Sequence, residues 1–142
     1  VPSGEIPHVN NEGYLAHVIA GSWLLDGKEY LGPLNQLEAQ SAYLDLELAA
    51  NGQFSQEIPK GHQVVVMVYE GSLRSDQVIK AQQTALFSDK GELQLSSEKG
   101  AKALILHGLP HKEPIANYGP FVMNTKEEID QAIKDYQDGV LA

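Results

Sequence analysis

Short apolar or alternating runs, separated by turn residues, extend from residue 14 to residue 107. In the clearest run, residues 42–48, every second residue is apolar, and a period of two predicts a strand with one buried face. Residues 64–69 are apolar throughout, which predicts a central strand covered on both faces. Further strands are predicted at residues 15–19, 53–57, 77–80, 84–87, 93–96 and 103–106, with turns at 51–52, 89–91 and 99–100. Roughly eight strands at this spacing predict an all-β fold, a double-sheet jelly roll of the sandwich or barrel type.

One amphipathic helix is predicted near the end of the chain, after Asn124. Thr125 and Glu128 have the spacing of a capping box, in which each side chain satisfies a backbone donor at the helix start. Gly139 is a natural terminator of this helix. The apolar residues that recur at helical spacing are Ile129, Ala132, Ile133 and Tyr136. We expect this narrow stripe to cover an open end or face of the barrel, with part of it able to face another domain.

The segment of residues 20–41 has no sustained period and is longer than most loops within a compact domain. It contains the only tryptophan of the chain, Trp23. Because apolar loops are usually packed, the favoured interpretation is an arm held against its own barrel. The residues predicted to hold it are Trp23, Leu24, Tyr30 and Leu34. The alternative is a loop dedicated to binding a partner.

Composition narrows the class of protein. A chain of 142 residues, 42% of them hydrophobic, is long enough to bury the core of one domain. It has no cysteine, which removes disulfides and thiolate chemistry and fits a cytoplasmic protein. No apolar run approaches the roughly 20 residues that span a bilayer, so no membrane partner is expected. The net charge of −9 repels phosphate backbones, which argues against direct nucleic-acid binding. Because the chain starts at Val1 and residues 1–4 read as a linker, a proteolytic or engineered fragment of a longer protein is expected.

The histidines do not form a recognisable metal motif. His107 and His111 are four residues apart, but the glycine and proline between them exclude a helix, so this spacing carries no signal. His62 is expected to make a hydrogen bond where a strand begins, and His17 lies within a predicted strand. His8 lies in the predicted linker. We therefore expect no native metal site in this chain.

The sequence shows no pattern for covalent or phosphate chemistry. No serine is flanked by the glycines of a nucleophile elbow, and no glycine cluster opens a helix. Asp45 and Glu47 share one face of a strand and could act as an acid and base pair. Their face is more simply the solvated side of that strand, so catalysis is not predicted from them.

The part of the chain after residue 103 combines several unusual stretches in a fixed order. They are residues 104–108, the triplet Glu113-Pro114-Ile115, the run from Tyr118 to Thr125, and residues 129–136. This order resembles the C-terminal signature of the pirin family nearly position by position. Weaker similarity extends through residues 6–7, 17–21, 42–45 and 69–71.

Pirins are two-domain cupins with an iron site in the N-terminal barrel, so the resemblance implies that this chain is the C-terminal barrel alone. Residues 1–12 would be a linker that leads into the barrel, and residues 13–142 the cupin domain. The first cupin metal motif places Ile58 and Lys60 where histidines belong and Val64 where a glutamate belongs. Residues 92–95 replace the histidine of the second motif. The resemblance therefore implies no cofactor in this chain and Fe(II) in the N-terminal domain.

The resemblance also implies a function, that of a non-catalytic domain. The parent is expected to be an iron-binding cupin with quercetin 2,3-dioxygenase-like activity, a regulator, or both. The expected partners are the chain's own N-terminal cupin domain and a regulatory protein such as a transcription factor or metabolic enzyme. Two alternatives remain open: a protein-interaction module, and a cupin with a rebuilt pocket for a small ligand. The candidate docking residues are Trp23, Tyr118, Phe121 and Met123.

Overall fold

The computed structural model describes residues 2–88 and 91–140. Its strands are β1 (His8–Asn10), β2 (Tyr14–Ala20), β3 (Ser22–Leu25), β4 (Lys28–Leu31), β5 (Ala42–Leu48), β6 (Gln53–Glu57), β7 (Gln63–Arg74), β8 (Val78–Lys80), β9 (Gln83–Ser88), β10 (Glu92–Ser96), β11 (Ala101–Gly108), β12 (Ala116–Tyr118) and β13 (Phe121–Met123). Helix α1 spans Lys126–Gln137, and 3-10 turns lie at Ser3–Glu5 and Glu38–Gln40. Val1 and two residues of the predicted turn, Asp89 and Lys90, lie outside the described residues.

The chain divides into two compact units, one ending at Pro110 and the other beginning at His111. In the first unit, nine strands form a curled antiparallel sheet in the order β1-β2-β5-β11-β7-β10-β6, with β8 and β9 also paired to β7. β3 and β4 form a separate hairpin. The double-sheet jelly roll predicted from the sequence is confirmed.

Strand β7 connects the two layers of this curled sheet. Its first half, residues 63–68, pairs with β9 and β11, and its end, residues 72–74, pairs with β8 and β10. Gly71 lies between the two halves at φ +73°, where an added Cβ would collide with the carbonyl oxygen of Gly100. Only glycine adopts this bend without strain. Gly71 therefore allows β7 to continue from one layer of the sheet into the other.

The core is built from alternate residues of the strands. Ala42, Leu44, Leu46 and Leu48 of β5 are buried, which confirms the face predicted from their period of two. Val64, Val66 and Val68 of β7 are buried in the same way. The opposite face of β7 differs from the prediction, because Met67 is 39% and Tyr69 is 44% exposed. The expectation that this strand is covered on both faces is therefore wrong for the described chain.

The segment of residues 20–41 contains the β3 and β4 hairpin, which its sequence did not predict. Trp23 is 1% exposed, and its indole Nε1 donates to the carbonyl oxygen of Ala20 at 3.1 Å. Tyr30 packs against the core, as expected for an arm held to its own barrel. Leu24 and Leu34, also predicted to hold this arm, are instead exposed.

The start of the chain contributes to the sheet. His8–Asn10 forms β1 and pairs with β2, and Val9 is buried. Part of the segment expected to be a linker is therefore ordered strand. The boundary at residue 12 remains a prediction.

The second unit contains the β12 and β13 hairpin and helix α1, which contacts both strands. The predicted capping box is present: Glu128 N donates to Thr125 Oγ1 at 3.2 Å, and Thr125 N donates to Glu128 Oε2 at 2.9 Å. Ile129 and Ala132 are buried, whereas Tyr136 packs its ring edge on Phe121 at a centroid distance of 6.2 Å. None of the helices in the described ranges has the length and apolar character that crossing a bilayer requires.

Candidate functional site

The barrel interior at the positions of the cupin metal motifs is apolar. Ile58 is 5% exposed and Val64 is fully buried, and neither carries an atom that can bind a cation. Lys60 is exposed on the connection between β6 and β7. In the second motif region, Leu93 and Leu95 point into the core while Glu92 and Gln94 face solvent. Within residues 2–88 and 91–140, no three histidine, cysteine or acidic residues are grouped so that they could hold a metal ion. The residues present therefore do not fit the iron site of the cupin motifs.

Two histidines meet in the same interior, a contact that their spacing of 45 residues did not predict. His62 Nδ1 lies 2.9 Å from His107 Nδ1, and both side chains are buried. The pairing of Val64 with His107 in β7 and β11 sets this contact, since His62 immediately precedes β7. The ring of Trp23 packs edge-on against His107 at a centroid distance of 4.9 Å. Predicting the pair would have required the strand register.

Burial keeps this histidine pair neutral. The pKa of His107 is lowered to about 4 by burial and by the repulsion that a protonated His62 would exert, and the pKa of His62 is lowered by burial. One imidazole must donate its Nδ1 hydrogen while the other accepts, because two protonated rings have no lone pair to share. Each imidazole thus gives the buried Nδ1 of the other a hydrogen-bond partner. Two histidine ligands are fewer than the three protein ligands typical of catalytic metal sites.

Apolar side chains occupy the solvent side of four strands, β5, β7, β9 and β11. Strand register places Tyr43, Leu106, Val65 and Leu86 in one row across these strands. A second row places Leu104 beside Met67. We call this surface the outer face; it consists of Tyr43, Val65, Met67, Tyr69, Leu86, Leu104 and Leu106. Leu86 is 62% exposed, and Leu106 is 39% exposed. Contiguous apolar patches of this kind mark interaction sites.

Polar side chains border the outer face at one end. Lys102 Nζ lies 3.6 Å from a carboxylate oxygen of Glu47 and 3.6 Å from one of Glu70. Tyr69 Oη donates to Asp45 at 2.9 Å, and burial together with this carboxylate raises the pKa of Tyr69. Asp45 and Glu47 thus hold neighbouring side chains in place on the outer side of β5, in agreement with the prediction that they lie on its solvated face.

The four residues predicted to dock a partner have different environments. Trp23 belongs to the core of the first unit and offers no surface to a partner in this structure. Tyr118 is 69% exposed, and Phe121 and Met123 are half-buried, all three in the second unit. The docking role of these three stays a prediction. The outer face was missed because its residues lie on strands whose uncovered side cannot be read from the sequence.

The curled double-sheet barrel, with aliphatic residues at the interior motif positions Ile58 and Val64, defines a cupin without the metal ligands of the cupin motifs. The chain belongs to the family described as the Pirin C-terminal cupin domain, whose model matches residues 43–142. It is a pirin-like C-terminal cupin domain, as its sequence predicted.

Relatives in several organisms support this assignment. The chain is 41% identical over 143 residues to a Pseudomonas aeruginosa protein named "Putative quercetin 2,3-dioxygenase", covering 97% of this chain and 50% of that protein. It is 33% identical to human Pirin, covering 96% of this chain and 48% of Pirin. A crystal structure of quercetin 2,3-dioxygenase from Acinetobacter baumannii superposes with a TM-score of 0.85 at 32% identity, covering 98% of this chain and 48% of that one. The chain thus spans about half the length of the curated relatives it matches.

Proposed function

We propose that this chain is the non-catalytic C-terminal cupin half of a pirin-type protein and that its outer face packs against a second cupin half. The outer face carries this proposal, because a folded barrel is stabilised when exposed apolar side chains such as Leu86 are covered. The relatives supply the occupant: each is about twice as long as the segment matched here. The lack of cysteine fits a cytoplasmic setting for such a protein.

The same proposal assigns the iron and any quercetin 2,3-dioxygenase-like chemistry to the other half. Ile58 and Val64 stand where the cupin motifs need ligands, which supports a division of labour between a chemical half and a supporting half. Metal analysis and oxygen uptake with quercetin should be measured on this chain and on the full-length protein. Iron and activity confined to the full-length protein would support the proposal. Stoichiometric iron in the 142-residue chain would contradict it.

The docking surface can be tested with single cysteines, because the chain has none of its own. Leu86→Cys places a thiol on the outer face, and Leu24→Cys places one at a similarly exposed position on β3. In a full-length protein whose other half is cysteine-free, Leu86→Cys should react with maleimide at least about tenfold more slowly than in the isolated chain. Leu24→Cys should react equally fast in both. Equal reactivity at Leu86→Cys would rule out docking through the outer face.

A second candidate function, binding of a regulatory protein, is favoured by the exposed residues of the second unit. Ile115 is 81%, Tyr118 69% and Val122 65% exposed. Photo-crosslinking from position 118 in the full-length protein, with the candidate regulator added, separates the two possibilities. Crosslinks to the regulator support this role, and crosslinks only within the protein assign this surface to the other half.

A further inference from the structure

A cleft of about 740 Å³ opens on the solvent side of the paired strands β6 and β10, and polar side chains of these two strands form one of its walls. Gln53 and Ser55 occupy every second position of β6 and lie on its exposed side. Ser55 lies opposite Gln94 of β10 in the strand register. Asp26, from the turn between β3 and β4, and Arg74, at the end of β7, complete the walls. This volume is within the range typical of small-molecule sites. The proposed docking function does not use these side chains.

Two carboxylates in the cleft are held in fixed orientations by their own donors. Glu92 accepts from Ser55 Oγ at 2.5 Å on Oε1 and from Gln94 Nε2 at 2.8 Å on Oε2. Asp26 accepts from Tyr14 Oη at 2.9 Å on Oδ1 and from Asn11 Nδ2 at 2.9 Å on Oδ2. A carboxylate offers about four acceptor positions, so each retains lone pairs for a ligand. Because neighbouring residues already hold them, ligand binding need not order these side chains.

The charges and donors in the cleft select a class of ligand. Asp26, Asp76 and Glu92 against Arg74 give three negative charges and one positive, a net charge of −2, which disfavours phosphates and carboxylates. The Arg74 guanidinium and the amides of Gln53 and Gln94 can donate, so the cleft both donates and accepts. A cation such as an ammonium group has no acceptor for these donors, whereas a neutral polyhydroxyl compound can both donate and accept.

We infer that this cleft binds a neutral saccharide. The fixed carboxylates accept hydrogen bonds from sugar hydroxyls, and the amide and guanidinium groups donate to ring and hydroxyl oxygens. Phe54 and Leu95 of the same two strands are 3% and 2% exposed, so their side chains anchor β6 and β10 in the core beneath the cleft. The side chain of Phe54 is fixed by an edge contact with Tyr14 at a centroid distance of 5.5 Å.

Titration of the ¹⁵N-labelled chain with maltose and with cellobiose tests this site by NMR. We expect at least one of them to shift the amide signals of β6 and β10, with a Kd on the order of 1–10 mM. Glucose 6-phosphate and spermidine serve as the anionic and cationic probes. Shifts caused only by one of these charged probes, or by none of the four, would overturn the inference.

Glu92→Gln removes the fixed charge but keeps the shape of the side chain, and it should weaken saccharide binding at least about fivefold. Glu57→Gln is the matched control, because Glu57 lies opposite Glu92 in the register but does not line the cleft. Asp26→Asn tests the second wall and should also weaken binding. The amide spectrum of each variant verifies its fold. Unchanged affinity in both Glu92→Gln and Asp26→Asn would refute this site.

Discussion

At the scale of single residues, the buried pair of His62 and His107 makes the free energy of unfolding depend on pH, because burial opposes protonation of these rings. His107 has its pKa lowered to about 4, whereas an unfolded histidine titrates near 6.5. Between these values the unfolded chain binds more protons, so the free energy of unfolding falls as the pH drops through this window. We expect His107 to lower the free energy of unfolding by roughly 2 kcal/mol over this window, a value reduced to allow for its residual contact with solvent. Urea unfolding at pH 7 and pH 4.5 measures it.

The variant His107→Gln isolates this contribution, because glutamine cannot become charged. Its stability at neutral pH should be lower, since the pair contact with His62 is altered, but its loss on acidification should be smaller than that of the natural chain. His8→Gln, at an exposed position of β1, is the control and should keep the natural pH dependence. A His107→Gln chain that loses as much stability as the natural one between the two pH values would contradict the assignment.

The residues of the barrel interior show how far sequence reasoning could reach. Ile58 and Val64 were recognisable as substitutes for metal ligands because the motif spacing places them by number alone. The contact of His62 with His107 was not, since it depends on which residues of β7 and β11 lie side by side. Register is set by the packing of the whole sheet, and a short spacing pattern does not contain it.

At the scale of elements, helix α1 depends on its first turn. Thr125→Ala removes the hydroxyl that accepts from Glu128 N, and such a change typically costs about 1 kcal/mol. Amide exchange in the first two turns of the helix should therefore be about fivefold faster. Thr125→Ser keeps the hydroxyl and should exchange at nearly the natural rate. If the serine and alanine variants exchange alike, the cap does not stabilise the helix.

Strand β7 shows what a hydrophobic pattern alone does not predict about a strand. An entirely apolar run predicts a strand with two covered faces, and one of these faces is the open outer face instead. The hydrophobic pattern of the strand does not say whether a second face is covered by the same chain. The sequence did not predict the β3 and β4 hairpin, because a four-residue strand such as Ser22–Leu25 is too short to show a recognisable alternation.

At the scale of the whole molecule, the outer face predicts how the isolated chain behaves in solution. With Leu86 and its neighbours open to water, the 142-residue chain should bind the dye ANS and associate weakly as its concentration rises. Leu86→Ser removes apolar area at the most exposed position of this face and should reduce both signals. Leu24→Ser makes the same change outside the face and should leave both signals nearly unchanged. Dye fluorescence and sedimentation velocity provide the two measurements. Equal reduction by the two variants would mean that general surface hydrophobicity, and not the outer face, causes association, which would remove the main support for docking through this surface.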